Sequence, residues 1–203
     1  MAFTRQGYLV LGLLFTCYIL VAAITLTIAW SGPLPFLLRI TGLYGYLSLA
    51  IAVMLTPFLA EIRAIFGKPF LAVHHFFAGF GLVAITIHPL MNALLAMNIS
   101  VFIPRFESWG VFWALAGRPA FILIYIAVAG VLLRRMLKRS WRPVHALMYI
   151  ALFFGFVHGL LIGTDFNHPF IRGFYAVLFV GVIGAFFAKR LKLRMKRQPS
   201  TPL

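Results

Sequence analysis

Four histidines stand in two long apolar stretches as near-matching pairs, His74 with His88 and His145 with His158. Within those stretches they are the side chains suited to ligating a buried metal. Imidazole binds several transition metals. Two imidazoles on opposite faces of one haem fill both axial positions, an arrangement that favours electron transfer over oxygen binding or substrate coordination. A closed zinc site is a poorer match, because it needs four ligands converging at one depth. A single intramembrane histidine is often just a satisfied polar residue between helices. Four of them, paired by helix, depth and direction, favour haem, since ionisable groups within spans are rare and usually functional.

Helix geometry gives the pairs their meaning. His74 and His88 are 14 residues apart, which at ~100° per residue falls ~40° short of four turns, so both project from nearly one face. Along the axis they are ~21 Å apart, one near each leaflet. The stretch bearing His145 and His158 runs in the same direction, so His74 faces His145 at one depth and His88 faces His158 at the other. His145 and His158 are 13 residues apart, leaving the second ring ~140° from the first on an ideal helix. Either two haems differ in azimuth, or the helix is irregular near Gly155 and Gly159. His75 competes with His74 as inner ligand; adjacent rings point ~100° apart, so one of them faces the partner helix. Spacing favours His74. His168, beside Asp165 and Asn167, reads as a solvated loop residue, with substrate or propionate contact a minor option.

The elements that must position these residues are membrane spans. Hydrophobic types make up 63% of 203 residues against 21 charged ones, more apolar length than a soluble core of this size uses. About 20 apolar residues cross the hydrocarbon layer, and six segments qualify: 7–30, 36–59, 70–96, 114–133, 143–163 and 168–188. The expected fold class is an all-α integral membrane protein, a six-helix transmembrane bundle with a basic tail, 189–203. The first segment exceeds the usual ~7–15-residue core of a signal peptide, and is expected as a retained helix. The connection 97–113, with Pro104, Arg105, Glu107 and Trp109, could lie along the interface.

Charge sets the expected orientation. With six spans, 14 of the 18 Lys and Arg residues fall on one side, and Arg39, Arg105, Arg118 and Arg172 on the other. The positive-inside rule then places both termini in the cytoplasm. The net charge of +15 is mainly this topological signal and not nucleic-acid binding, because the charges flank spans instead of forming a basic face with stacking aromatics. The tail could hold anionic headgroups or an acidic partner. Cys17 stands alone, which excludes an intramolecular disulfide, and reads as a small core residue. No dinucleotide fingerprint or Walker loop occurs.

Around the histidines, Arg63, Lys68 and Arg142 are candidate propionate partners on the inner side by charge and depth. Arg105, Arg118 and Arg172 play that part on the outer side, for propionates or an anionic acceptor. Ordinary positive-inside charges explain the inner three equally well. Gly79, Gly81, Gly155 and Gly159 could let a flat macrocycle approach the backbone, or could simply permit close helix contact. Phe76, Phe77, Phe80, Phe153, Phe154 and Phe156 would line an apolar pocket.

The stretch Trp141-Arg-Pro-Val-His145-Ala-Leu-Met-Tyr149 resembles the Trp-x-x-x-His-x-x-x-Tyr entry to the fifth helix of the ferric-reductase-like transmembrane domain superfamily. That group includes ferric reductases, the membrane half of NADPH oxidases, and the haem subunit of the methionine sulfoxide reductase system. The 14- and 13-residue histidine spacings, Arg118-Pro119 before the fourth helix and the basic 134–142 connection are also similar, over about residues 35–188. The resemblance implies haem b in a six-helix bundle, with electrons moving outward from the cytoplasmic side. Oxidases of the group continue into flavin and nicotinamide domains that this sequence lacks, which implies a separate flavoprotein or quinol as donor. In the methionine sulfoxide reductase haem subunit the inner histidine of the third helix is commonly absent. Here His74 and His75 are both present, so two haems are expected.

The expected function is therefore a b-type cytochrome of the inner (cytoplasmic) membrane, carrying single electrons through bis-histidine haems to an extracytoplasmic acceptor. The alternatives are a haem-free membrane scaffold whose histidines bridge helices and, within the haem class, a terminal ferric or oxygen reductase.

Overall fold

The computed structural model describes residues 3–28 and 30–195. Among them there is no strand; the chain is helix and short connections. In chain order the helices are α1 (Arg5–Ile28), α2 (Pro33–Met54), α3 (Leu59–Phe66), α4 (Phe70–Ala96), α5 (Trp109–Ala114), α6 (Gly117–Leu132), α7 (Arg134–Leu137), α8 (Trp141–His145), α9 (Leu147–Ile162) and α10 (Pro169–Met195). Single 3-10 turns cover Ile99–Phe102 and Thr164–Asn167.

Five stretches are long and apolar enough to cross a membrane: α1, α2, α4, α8 with α9 as Trp141–Ile162, and α10 as far as Lys192. They make the chain an all-helical protein of multi-pass membrane character. The remaining expected segment, 114–133, is the 16-residue α6, preceded by the short α5. At 1.5 Å per residue α6 is about 24 Å long, less than the ~30 Å hydrocarbon layer. The expected tail also differs. Helix α10 continues through Lys189, Arg190, Lys192 and Arg194 to Met195, while 196–203 lie outside the described residues.

Helix α2 is the axis of the core. Its residues Ile40, Thr41, Leu43 and Gly45–Val53 are almost all buried, with α4, α10, α1 and α9 packed around them. Two glycines bring α2 and α4 into backbone contact. A Cβ on Gly45 would lie 2.8 Å from the Ile85 nitrogen, and one on Gly81 would lie 3.0 Å from the Leu49 nitrogen. Small residues at such crossings are how membrane helices approach when apolar burial alone gives no preference between lipid and protein. Gly81 thus serves helix packing. Gly79 faces open space, and a Cβ on Gly159 would meet the Phe166 ring at 2.8 Å.

The irregularity expected near Gly155 and Gly159 lies elsewhere. Helix α9 runs through both glycines unbroken. The break is at Ala146, directly after His145, where Tyr149 N–H bonds back three residues to Ala146 O at 3.1 Å. That turn separates His145 from the helix carrying His158, so the ideal-helix azimuth for a 13-residue spacing does not apply across it.

A buried ion pair closes the far end of the bundle, the end away from the basic 134–142 loop. The Arg39 guanidinium grips the Asp165 carboxylate through both oxygens, with Nε to Oδ2 at 2.9 Å, and also donates to Thr25 O at 3.0 Å. The side chains are 12% and 5% exposed. At the opposite end Lys192 Nζ meets Glu61 Oε1 at 3.0 Å and Pro57 O at 2.8 Å. Hydrogen bonding by backbone amide and by Lys192 holds the Glu61 carboxyl below its ordinary range.

Candidate functional site

Each of the four histidines is fixed in the same way by the chain around it. His74 Nδ1 meets Ala52 O at 3.0 Å, His88 Nδ1 meets Leu38 O at 2.8 Å, His145 Nδ1 meets Ala127 O at 3.1 Å, and His158 Nδ1 meets Ala114 O at 2.7 Å. A carbonyl oxygen only accepts, so the proton of each neutral ring is on Nδ1. The Nε2 lone pair is then available to a metal, the tautomer that a carbonyl acceptor on Nδ1 selects in metalloproteins.

The acceptors repeat the spacing of the donors. Leu38 and Ala52, both on α2, are 14 residues apart like His74 and His88; Ala114 and Ala127 are 13 apart like His145 and His158. Two helical units result, α2 holding both rings of α4, and α5–α6 holding the rings of α8 and α9. Local backbone makes several of these oxygens available. Ala52 is in the last turn of α2 and Ala114 is the last residue of α5, where carbonyls outrun intrahelical donors.

The rings meet across the units as helix direction suggests. His74 and His145 have centroids 6.5 Å apart with planes at 76°, and His88 and His158 have centroids 6.4 Å apart, also at 76°. Two metal–nitrogen bonds of about 2.0 Å, plus about 1.1 Å from each nitrogen to its ring centre, give roughly 6.2 Å for two imidazoles on opposite sides of one ion. The two pairs, at 6.5 and 6.4 Å, are close to that separation. Among the described residues no group of three or more His, Cys, Asp or Glu converges to hold a metal; the imidazoles are brought together in pairs.

His75 lies on the exposed side of α4, its ring 5.8 Å from that of His74; the His145 ring faces His74. Phe70 stacks on His74 at 5.3 Å, and Trp141 lies 6.5 Å from His145. His168 is half-buried with Nδ1 enclosed and unpartnered, more enclosed than a solvated loop residue.

A cavity of about 530 Å³ opens beside His88 and His158, lined also by Arg39, Arg118, Tyr46 and Gly155. The size is within the usual range of cofactor and ligand sites. Tyr46 is 8% exposed, and its hydroxyl has no partner within the protein, so the cavity wall offers one unused hydrogen-bonding group. Of the outer cations expected from charge, Arg118 lines this cavity, with Nη1 bonded to Ile103 O at 2.7 Å and Ser100 O at 3.0 Å. Arg105 is exposed and paired with Glu107, and Arg172 is exposed with Nε on Phe166 O. Arg39 was missed by sequence reasoning because its partner Asp165 is 126 residues away. At the other end Arg63 is exposed on α3, Lys68 lies over the Phe3 ring at 5.3 Å, and Arg142 lies over the Trp141 ring at 5.5 Å.

Comparison with family models, with curated proteins and with solved structures finds no match to this chain.

Proposed function

We propose that the protein is a b-type cytochrome of the ferric-reductase-like kind, with one haem between His74 and His145 and a second between His88 and His158. The supporting observation is the common state of the four imidazoles: Nδ1–H on a backbone carbonyl, Nε2 free, and rings paired at 6.4–6.5 Å. A haem iron held by two imidazoles supplies reversible one-electron chemistry with no open coordination position. The protein's part is ligation, orientation and electrostatics.

In this reading the chain lies in the cytoplasmic membrane with both termini inside, following its positive-inside asymmetry. Single electrons enter at the His74–His145 end from a separate flavoprotein or a quinol and leave at the His88–His158 end to an extracytoplasmic acceptor. Arg118 and Arg39 hold the carboxylates of the far-end haem, because both cations line the cavity beside His88 and His158. The backbone oxygens on the four Nδ1–H groups raise ligand basicity and lock ring orientation.

The test is haem per polypeptide by pyridine haemochrome, with redox difference spectra of wild type, His74→Ala and His88→Ala. About two haems per chain are expected, each variant losing one. With ring planes at 76° in both pairs, each ferric haem should give a strongly anisotropic low-spin EPR signal. A folded protein that takes up no haem would overturn the reading and leave a scaffold whose histidines bridge helices.

A further inference from the structure

A histidine can reach a carbonyl inside a helix only by crossing over the residues that follow it. A helical carbonyl points along the axis toward the residue four positions on, so a ring arriving from a neighbouring helix lies against residue i+3 or i+4. Three of the four acceptors have glycine there: Gly42 after Leu38, Gly117 after Ala114, and Gly130 after Ala127.

The glycines differ in what they protect. A Cβ on Gly42 would lie 2.8 Å from His88 Nδ1 and 3.0 Å from Cε1. On Gly117 it would lie 2.8 Å from His158 Cδ2 and 3.0 Å from Nε2. Carbon atoms in contact sit about 3.5–4.0 Å apart, so each methyl would displace the ring. A Cβ on Gly130 would instead strike Val144 Cγ1 at 2.7 Å and come no nearer His145 than its backbone nitrogen at 3.6 Å. The fourth acceptor, Ala52, is followed at those positions by Leu55 and Thr56, beyond the end of α2 at Met54, where Thr56 N–H has turned to Val53 O at 3.0 Å.

We infer that Gly42 and Gly117 are positioning residues for the far-end pair, setting the ring placement and Nδ1–H bonds of His88 and His158, and that the His74–His145 pair does not depend on them. The inference rests on the haem reading. The two residues act on different atoms. Gly117 guards the ligating nitrogen of His158, whereas Gly42 guards the donor nitrogen of His88 and so the basicity of that ligand.

The experiment uses the full-length protein with Gly42→Ala, Gly117→Ala and Gly184→Ala. Gly184 is exposed on α10 with open space at its Cβ and serves as control. Haem stoichiometry, EPR and redox titration are read for each haem, with His74→Ala and His88→Ala assigning the signals. Gly117→Ala should weaken far-end haem binding about 10–100-fold, the usual scale for a lost supporting contact. Gly42→Ala should bind more weakly, with a shifted largest g value and a more positive potential from the less basic imidazole. The haem at His74 and His145 should keep its wild-type spectrum, which also reports that the bundle has folded. Loss of both haems together, or a far-end haem with unchanged occupancy, EPR and potential in both variants, overturns the inference. A wild-type protein without haem would overturn the haem reading and this inference with it, whereas haem in wild type and unaltered glycine variants would overturn the inference alone.

Discussion

At the far end, His88 and His158 border a 530 Å³ cavity, beside the buried Arg39–Asp165 pair, and the Leu38 oxygen that holds His88 lies within a helix. At the basic end, His74 and His145 sit near helix ends: Phe70 starts α4, Ala52 is in the last turn of α2, and His145 closes α8 before the break at Ala146. Ring spacing and ring angle are nearly the same in both. Similar ring-pair geometry has therefore been built in two different surroundings. Far-end support is buried and long-range in sequence, so a single change there leaves a charge or ring with no alternative position. Each end has one acceptor at a helix terminus, Ala52 O for His74 and Ala114 O for His158, and one inside a helix, Ala127 O for His145 and Leu38 O for His88, so the difference between the ends is the buried ion pair and the cavity, both at the far end.

The largest expected effect breaks the far end alone. Asp165→Ala leaves the Arg39 guanidinium buried without its carboxylate, a loss of about 3–5 kcal/mol for a broken buried pair. Denaturant unfolding in detergent should register that destabilisation, and far-end haem should be lost before basic-end haem. Equal loss at both ends would erase the distinction between the supports. Replacing the pair together, Arg39→Met with Asp165→Leu, should recover much of the stability. It should leave far-end haem weakly held, since a carboxylate partner has gone.

A smaller effect sharpens the basic end. His75→Ala should keep two haems per chain, because the exposed His75 ring sits beside His74 on α4. Loss of one haem in that variant would make His75 the ligand. The smallest effect concerns the Glu61–Lys192 bridge at the same end. The folded-state pKa of Glu61 is lowered, so its contribution is present above the unfolded pKa and disappears as pH falls through the folded value. Thermal unfolding from pH 6 down to pH 3 should show a slight loss in wild type that is absent in Glu61→Gln, with far-end haem content unaffected.

Much of the architecture was legible in the residues, and the exceptions have specific causes. Segment 70–96 coincides with α4, because a long, mainly apolar run without Asp, Glu, Lys or Arg between Pro69 and Asn98 leaves little else for the backbone to do. Segment 36–59 stops early, at Met54, and a separate α3 follows; hydropathy does not distinguish a continuing helix from a turn at Thr56-Pro57. The short α6 follows from a break at Leu115–Ala116, which frees Ala114 O for His158. A periodicity reading has no signal for a carbonyl that a distant side chain requires.

The sequence by itself determined the apolar segments, the charge asymmetry and the positions of the histidines along their helices, since these depend on covalent order and helical repeat. Tertiary structure decided which ring nitrogen is protonated, which of His74 and His75 faces His145, and which arginines line the cavity. Each of those outcomes depends on a partner from another helix, 18 to 126 residues away in the chain. Local periodicity contains no information about such partners; only the packed bundle brings them within hydrogen-bond distance.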